Sequence, residues 1–326
     1  MPRRRRRRRR SIAMTRMRRR RFVVWLIIIF ILTGTGGFLF HQNPEWREVA
    51  TTTIADIWDN VSGFFIDLFG DATPSEGYAH VHFIDVGQGD AILIRTAGGD
   101  MLIDGGDNHM GQRLVDYLRN QGIRELVYVI ATHPHADHIG GLIPVIHEFH
   151  IGTLIMPPVA HTTRTFERFI DALEDNDINT RPPQIGETLT LGDAVFTVVA
   201  PNSTGHSNLN EYSISLRMVF GDTSFLFTGD AESGSEAEMI AAGHVLSSDV
   251  LHVGHHGSTT STTEPFLAAV TPQIAVISVG EDNIHGHPHQ SVVTRLVSHG
   301  VRIYRTDIHG NVVIITDGQT LTVTHD

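Results

Sequence analysis

The chain has 326 residues, 41% hydrophobic and 19% charged, a composition typical of globular rather than disordered proteins. It contains no cysteine, which excludes disulfides, thiolate metal sites and cysteine nucleophiles. All 36 acidic residues lie within residues 41–326 with only 12 of the 25 arginines, so this region carries a net charge of −24 and is expected to repel polyanions.

The N-terminal region predicts a membrane anchor. Thirteen arginines occupy the tail 1–21, and the next 19 residues, 22–40, form an uncharged apolar run. At about 1.5 Å per residue, a helix of that length spans roughly the 30 Å hydrocarbon core of a membrane. Because arginine-rich tails stay on the cytoplasmic side, residues 41–326 are expected outside the cytoplasm. No A-x-A-like site follows the run, which favours an uncleaved anchor over a signal peptide. A twin-arginine export signal at 19–22 is a further alternative. The arginines could also form an arm that binds nucleic acid, but a topology signal beside an apolar span is the simpler interpretation.

Residues 41–77 predict a connecting segment. Between 48 and 69, apolar residues recur at the spacing of one helix face, so this part is expected to form an amphipathic helix. Its apolar face would pack against the following domain or an oligomer partner. The stretch 70–77 has the composition of a linker, which leaves 78–326 as one catalytic domain.

Short β-rich runs alternate with helical patterns across residues 78–326. Strands are predicted at 79–85, 90–95, 100–104, 125–131, 194–199, 212–220, 223–228, 248–253, 274–279, 301–304, 311–316 and 320–324. Helices are predicted at 111–121, 139–149, 164–175, 233–242, 263–270 and 290–299. Closely spaced early strands followed by alternating strands and helices predict an α/β fold in which helices flank a sandwich of sheets.

A dense cluster of potential metal ligands follows the predicted strand 125–131. Four candidates, His133, His135, Asp137 and His138, fall within six residues, and at a strand end they can converge on one point. Imidazoles and a carboxylate suit zinc, and also manganese or iron. Single candidates follow other predicted strands or precede a helix: Asp230, His255, His256 and His287. Together they are expected to line one edge of the sheets.

These motifs carry a family resemblance over about residues 78–326. His133-x-His135-x-Asp137-His138, with Asp230 ending Thr-Gly-Asp, resembles the metallo-β-lactamase superfamily, whose fold is an αββα sandwich. Narrower motifs resemble the C-terminal hydrolase domain of ComEC-type competence proteins: Phe83-Ile84-Asp85-Val86-Gly87-Gln88-Gly89-Asp90, Leu102-Ile103-Asp104-Gly105-Gly106, Thr228-Gly229-Asp230-Ala231-Glu232, His255-His256-Gly257-Ser258 and Gly286-His287-Pro288-His289. The multi-span channel of those proteins is missing from this sequence, which has one apparent span.

The resemblance implies two divalent metal ions, zinc or alternatively manganese. His133 and His135 would hold the first ion and Asp230 would bridge the two. The second ion would be held by Asp137, His138 and His256. Many superfamily members supply a further histidine to the first ion. In this chain Asn210 occupies that region, and the nearby His206 is the alternative.

The implied chemistry is hydrolysis by a water activated between the metal ions. Asp137 would orient this nucleophile as well as bind metal. His287 would stabilise the developing oxyanion or protonate the leaving group, unless it is only a residue at the rim before a helix. His255 and His256 follow a predicted strand, where adjacent side chains point to opposite sides. We therefore expect only His256 to reach the metals.

Three functions remain open from the sequence. The first is a phosphodiesterase, in particular a nuclease acting on single-stranded DNA, which would require a local basic patch on the acidic body. The candidate arginines for that patch are Arg113, Arg119, Arg164, Arg168 and Arg217. The second is a hydrolase of small or cell-surface substrates such as choline phosphodiesters. The third, a membrane-tethered scaffold without activity, is disfavoured because nearly all expected metal ligands are present. The sequence does not indicate an oligomeric state.

Overall fold

A computed structural model describes residues 74–326 of the chain. The predicted arginine tail, the apolar run 22–40 and most of the segment 41–77 lie outside this part. Within 74–326, no helix combines the length and the apolar character needed to cross a membrane.

The described residues form two mixed β-sheets. The first sheet has eight strands: β1 (Ala79–Phe83), β2 (Ile92–Thr96), β3 (Gly99–Ile103), β4 (Glu125–Ile130), β5 (His150–Ile155), β6 (Thr180–Arg181), β14 (Val312–Thr316) and β15 (Leu321–His325). Its strand order is β15-β14-β1-β2-β3-β4-β5-β6. The second sheet has seven strands: β7 (Thr188–Leu191), β8 (Ala194–Ala200), β9 (Ser215–Phe220), β10 (Thr223–Phe227), β11 (Val250–His252), β12 (Ile274–Ile277) and β13 (Arg302–Arg305). Its order is β13-β12-β11-β10-β9-β8-β7.

Helices cover the outer faces of both sheets. They are α1 (Gly111–Asn120), α2 (Ala136–Ile139), α3 (Leu142–Glu148), α4 (Arg164–Asp175), α5 (Ser233–Ala241), α6 (Glu264–Val270), α7 (Gln290–Ser298) and α8 (Thr306–His309). One apolar core fills the space between the sheets, with Phe83 and Phe225 among its members. A second packs α1, α3 and α4 on the first sheet, and a third packs α5, α6 and α7 on the second. The predicted sandwich with flanking helices is confirmed.

The structure departs from the predicted elements in three respects, the simplest being the short helix α8, which was not predicted. Strands β5, β6 and β7 were not predicted, since β5 follows α3 almost without a turn and the other two are short. The helix predicted at 139–149 is instead divided between α2 and α3 at Gly140 and Gly141. A Cβ on Gly141 would lie 1.9 Å from the carbonyl oxygen of Gly105, so this close approach of two loops requires glycine.

Parallel strands place the loops of the candidate site. Strands β3, β4 and β5 run parallel in the first sheet, and β10, β11 and β12 run parallel in the second. Parallel strands end at the same edge of a sheet, so the loops that follow them collect there. Backbone hydrogen bonds tie these loops together: Ile214 N donates to Thr132 O across the sandwich, and His255 N donates to Gly229 O between neighbouring loops of the second sheet.

Candidate metal centre

Six predicted ligands, termed here the metal cluster, lie at this edge of the sheets: His133, His135, Asp137, His138, Asp230 and His256. His133 and His135 lie in the loop after β4, and Asp137 and His138 lie within α2. Asp230 follows β10, and His256 lies in the turn that follows β11. The cluster therefore draws ligands from both sheets, although its members are up to 123 positions apart in the sequence.

Asp230 lies in the middle of the metal cluster, and its two carboxylate oxygens face different histidines. Oδ1 lies 3.3 Å from His138 Nε2 and 3.5 Å from His256 Nε2. Oδ2 lies 3.6 Å from His133 Nε2. A carboxylate that presents one oxygen to each of two groups of imidazoles has the arrangement of a bridging ligand.

The donor atoms fit a metal site. Within residues 74–326, His138 Nε2, Asp230 Oδ1 and His256 Nε2 are buried and have no hydrogen-bond partner, although buried polar atoms are normally paired. Ligand atoms of His133, His138 and Asp230 lie within 4.8 Å of one another, as do those of Asp137, His138 and His256. Imidazole nitrogens and carboxylate oxygens are the ligands that zinc and similar divalent ions take in proteins.

Hydrogen bonds to the far ring nitrogens orient these imidazoles. Asp104 Oδ2 accepts from His138 Nδ1 at 2.8 Å, and the carbonyl oxygen of Ser278 accepts from His256 Nδ1 at 2.9 Å. The ring nitrogen of His133 that faces away from Asp230 contacts Thr132 Oγ1 at 3.1 Å. Fixing one ring nitrogen in this way presents the other to a metal, as is usual for metal-binding histidines.

Asp90 is a buried carboxylate to which the sequence assigned no role. Its Oδ1 lies 3.3 Å from both His252 Nε2 and His256 Nδ1. Gly89 allows this placement, because its φ is +129° and a Cβ would lie 2.2 Å from the carbonyl oxygen of Asp137. Both Asp90 and Asp104 belong to motifs noted above, but only the folded chain shows that they contact the histidines.

The electrostatics of the cluster are dominated by carboxylates. Burial disfavours the charged ring of His138, yet the carboxylates, above all Asp230, raise its pKa well above the usual value. The pKa of His256 is raised against burial in the same way. Burial would raise the pKa of Asp230, but these imidazoles hold it well below its usual range. A divalent cation can compensate the same negative charge and requires neutral imidazoles, so binding it must release protons.

The pair His255 and His256 corrects the expectation of an extended segment. Their φ angles are +49° and +53°, so both residues adopt the left-handed conformation. For residues other than glycine, this conformation costs about 1–2 kcal/mol each. His256 reaches the cluster as predicted, but His255 does not point away, since its Nε2 lies 3.7 Å from Asp230 Oδ2.

Asn210 and His206, the two candidates for the first metal, have different surroundings. Asn210 is buried, its Nδ2 donates to Glu232 Oε1 at 2.8 Å, and its Oδ1 has no partner among the described residues. The imidazole of His206 contacts Ser203 Oγ at 3.1 Å and packs edge-on against Tyr212. The structure therefore favours Asn210 over His206 as a residue of the site.

His287 lies beside the metal cluster, in the loop before α7. Its ring centroid is 5.5 Å from that of His255 and 6.4 Å from that of His256. Its backbone is held by Asn283, which accepts from His287 N and donates to His287 O. Burial, followed by the neighbouring His256 and His255, lowers the pKa of His287 to about 4. The ring is therefore neutral at pH 7.

Comparison with known proteins assigns the fold and site to a family. The family model described as metallo-β-lactamase superfamily matches residues 84–281. The chain belongs to this superfamily, in agreement with the sandwich of two sheets and the position of the metal cluster at its edge.

Individual relatives agree with the predicted resemblance. The chain is 32% identical over 256 residues to ComE operon protein 3 of Bacillus subtilis, covering 73% of this chain and 33% of that protein. It is also 32% identical over 256 residues to competence protein ComA of Neisseria gonorrhoeae, covering 76% and 33%. The predicted resemblance to ComEC-type competence proteins is thereby confirmed, and the chain spans about a third of the length of these two relatives.

A solved structure shares the fold. CmlA, a diiron β-hydroxylase from Streptomyces venezuelae, aligns with a TM-score of 0.50 and 16% identity, over 74% of this chain and 54% of that chain. At this identity the likeness concerns the fold alone.

Proposed function

We propose that the protein is a membrane-anchored hydrolase with two metal ions, and that it cleaves phosphodiesters, with single-stranded DNA as the first candidate substrate. The observation that carries the hydrolase proposal is Asp230, whose two oxygens face separate groups of imidazoles. Membership of the superfamily supports a metal-dependent hydrolase. The similarity to competence proteins supports a DNA-related substrate.

The residues of the site are assigned to two metal ions. His133 and His135, with Asn210, would hold the first ion. Asp137, His138 and His256 would hold the second, and Asp230 would bridge. Bound there, the two ions would supply a water of low pKa and charge to stabilise the transition state. Zinc is the first choice for these donors and manganese the alternative.

Asp137 and His287 are the proposed catalytic residues. The side chain of Asp137 is 29% exposed, whereas those of Asp230 and His138 are 4% and 0% exposed, so it is the most accessible carboxylate of the cluster. It can therefore orient a water as well as bind metal. His287 is neutral at pH 7, because its pKa is lowered to about 4. It is thus better suited to donate a hydrogen bond to a developing oxyanion than to protonate a leaving group.

The positions of the arginines favour a second candidate, a small phosphodiester. Arg113 and Arg119 lie on α1, over the first sheet, and are paired with Asp85 and Glu148. Arg217 lies on β9 of the second sheet and donates to the carbonyl oxygen of Ser247. Arg217 is therefore on a different sheet from Arg113 and Arg119, whose guanidinium groups are already paired with carboxylates, and a small zwitterionic substrate needs no basic patch.

A substrate panel tests the function. The metal-loaded full-length chain would be assayed with single-stranded DNA, duplex DNA, RNA, bis-nitrophenyl phosphate and a choline phosphodiester. For DNA, the apparent affinity is expected to fall steeply with salt, in proportion to the phosphates contacted. Robust turnover of small esters with a flat salt profile would reject the nuclease and keep the phosphodiesterase. No turnover of any phosphodiester by a chain holding two ions would reject both.

The proposed location is the cell membrane, with the catalytic domain outside the cytoplasm. The support is the arginine tail followed by the apolar run 22–40, as described above.

A further inference from the structure

His255 lies beside the part of the metal cluster proposed for the first ion. Its Nε2 is 3.7 Å from Asp230 Oδ2, and His133 Nε2 is 3.6 Å from the same oxygen. By contrast, His138 and His256 face the other oxygen, Oδ1. The four imidazoles are therefore distributed as two pairs, one at each oxygen of Asp230.

The other ring nitrogen of His255 has its own carboxylate partner. Nδ1 lies 3.2 Å from Glu232 Oε1, and this oxygen also accepts from Asn210 Nδ2 at 2.8 Å. Nδ1 lies in addition 3.2 Å from Thr260 Oγ1. A carboxylate on one nitrogen fixes the ring and leaves the second nitrogen free for a metal, as Asp104 does for His138.

The backbone of His255 is held in a costly conformation that directs the ring inward. Its φ of +49° and ψ of +47° belong to the left-handed region, and His256 follows in the same region. Strained backbone at non-glycine residues collects at functional sites. In this conformation the ring of His255 lies on the side of Asp230, where it can act as a ligand.

We propose that His255 is a ligand of the first metal ion, oriented by Glu232. This inference rests on the proposed function, since it presumes the two-metal site. The first ion would then be held by His133, His135, Asp230 and His255, so that His255 takes the ligand position given above to Asn210. The imidazole of His255 compensates for the histidine that many superfamily members supply from the region where this chain has Asn210.

The test is metal binding by the purified full-length chain, with zinc as the probe. His255→Gly is the variant of choice, because glycine keeps the left-handed backbone without strain. Thr271→Gly is the matched control, since Thr271 has a φ of +50° at an exposed position after α6. Calorimetric titration and elemental analysis count the ions, and X-ray absorption at the zinc edge counts the imidazoles.

We expect the wild type and Thr271→Gly to bind two ions. In His255→Gly, the affinity for one zinc ion should fall by at least about 100-fold, while the second ion stays bound. X-ray absorption should then count one imidazole fewer among the zinc ligands. Glu232→Gln should weaken the same ion by about 10–100-fold. It also keeps the proposal testable should His255→Gly fail to fold.

Two ions bound by His255→Gly with unchanged affinities would overturn the inference, even if its turnover fell, and would leave the proposed function intact. Failure of the wild type to bind zinc, manganese or iron would instead overturn the proposed function itself.

Discussion

Replacing Asp104 by asparagine is expected to lower the affinity for the second metal ion by about 10–100-fold, although Asp104 is not proposed to bind that ion. Its Oδ1 accepts from Thr132 N at 2.8 Å, and its Oδ2 accepts from Thr132 Oγ1 at 2.7 Å and from His138 Nδ1 at 2.8 Å. The asparagine oxygen must stay at the backbone N–H, which cannot turn. The amide nitrogen then faces His138, whose Nδ1 must become an acceptor.

The new tautomer of His138 carries its proton on Nε2, the nitrogen that lies 3.3 Å from Asp230 Oδ1. That proton blocks the position of the metal. The expected loss of affinity corresponds to about 1.4–2.8 kcal/mol. The three hydrogen bonds of Asp104 can still form with asparagine, but they no longer involve a charged carboxylate. Each is then weaker by about 1 kcal/mol. The free energy of unfolding should therefore fall by about 3 kcal/mol at most.

The assay is a calorimetric zinc titration of the full-length chain at fixed pH, with urea unfolding of the metal-free protein alongside it. Asp107→Asn is the control, because this aspartate lies in the same loop and, within residues 74–326, its side chain hydrogen-bonds only to the exposed His109. Unchanged affinity for both ions in Asp104→Asn would refute the tautomer argument. Loss of both ions in equal measure would show that Asp104 supports the whole loop rather than one ring.

Four further predictions follow from the site and the N-terminus. Asp230→Ala should lose more than one ion's worth of affinity, because it removes a bridge rather than a terminal ligand, and retention of both ions in elemental analysis would show that Asp230 does not bridge. The affinity for zinc should rise between about pH 5 and pH 8, because the raised pKa values of His138 and His256 make protons compete with the metal, and an affinity independent of pH would contradict this. His287→Ala should lower kcat without changing metal content, and the pH–rate profile should keep its shape between about pH 6 and pH 8, because the pKa of about 4 leaves His287 neutral there. A reporter fused after Asp326 should be active only when exported, and cytoplasmic activity would contradict the proposed location.

The sequence predicted the layers of the fold and the histidines and aspartates that the structure places at one edge of the sheets. Apolar runs such as 91–94 indicated buried strands, and the dense histidines after 125–131 indicated a metal site because few other roles require four ligands within six residues. Strand β5 escaped prediction because it follows α3 almost directly, and β6 because it has only two residues. Strand β7 alternates exposed and buried residues but has only four of them. The break at Gly140 and Gly141 depends on a loop that is distant in sequence.

The second layer of the site was less accessible to sequence reasoning. Asp90, Asp104 and Glu232 each follow or precede ordinary turns, where aspartate and glutamate are common for local reasons. Their contacts are with histidines that lie 34, 23 and 166 positions away for Asp104, Glu232 and Asp90. Neighbouring parallel strands of one sheet create the first two contacts, and the packing of the two sheets creates the third. The left-handed pair His255 and His256 shows the same limit, because sequence reasoning assumed that the strand continued.

The placement of charge explains why such a costly site persists in a well-packed domain. Asp90, Asp104 and Asp230 are at most 3% exposed, and burying carboxylates is unfavourable unless cations or donors compensate. Within residues 74–326, the groups beside these carboxylates that can carry a positive charge are imidazoles and not arginines. An imidazole can exchange its proton for a metal ion near neutral pH, whereas an arginine would hold the carboxylates permanently. The choice of histidine thus keeps the buried carboxylates available to a divalent ion.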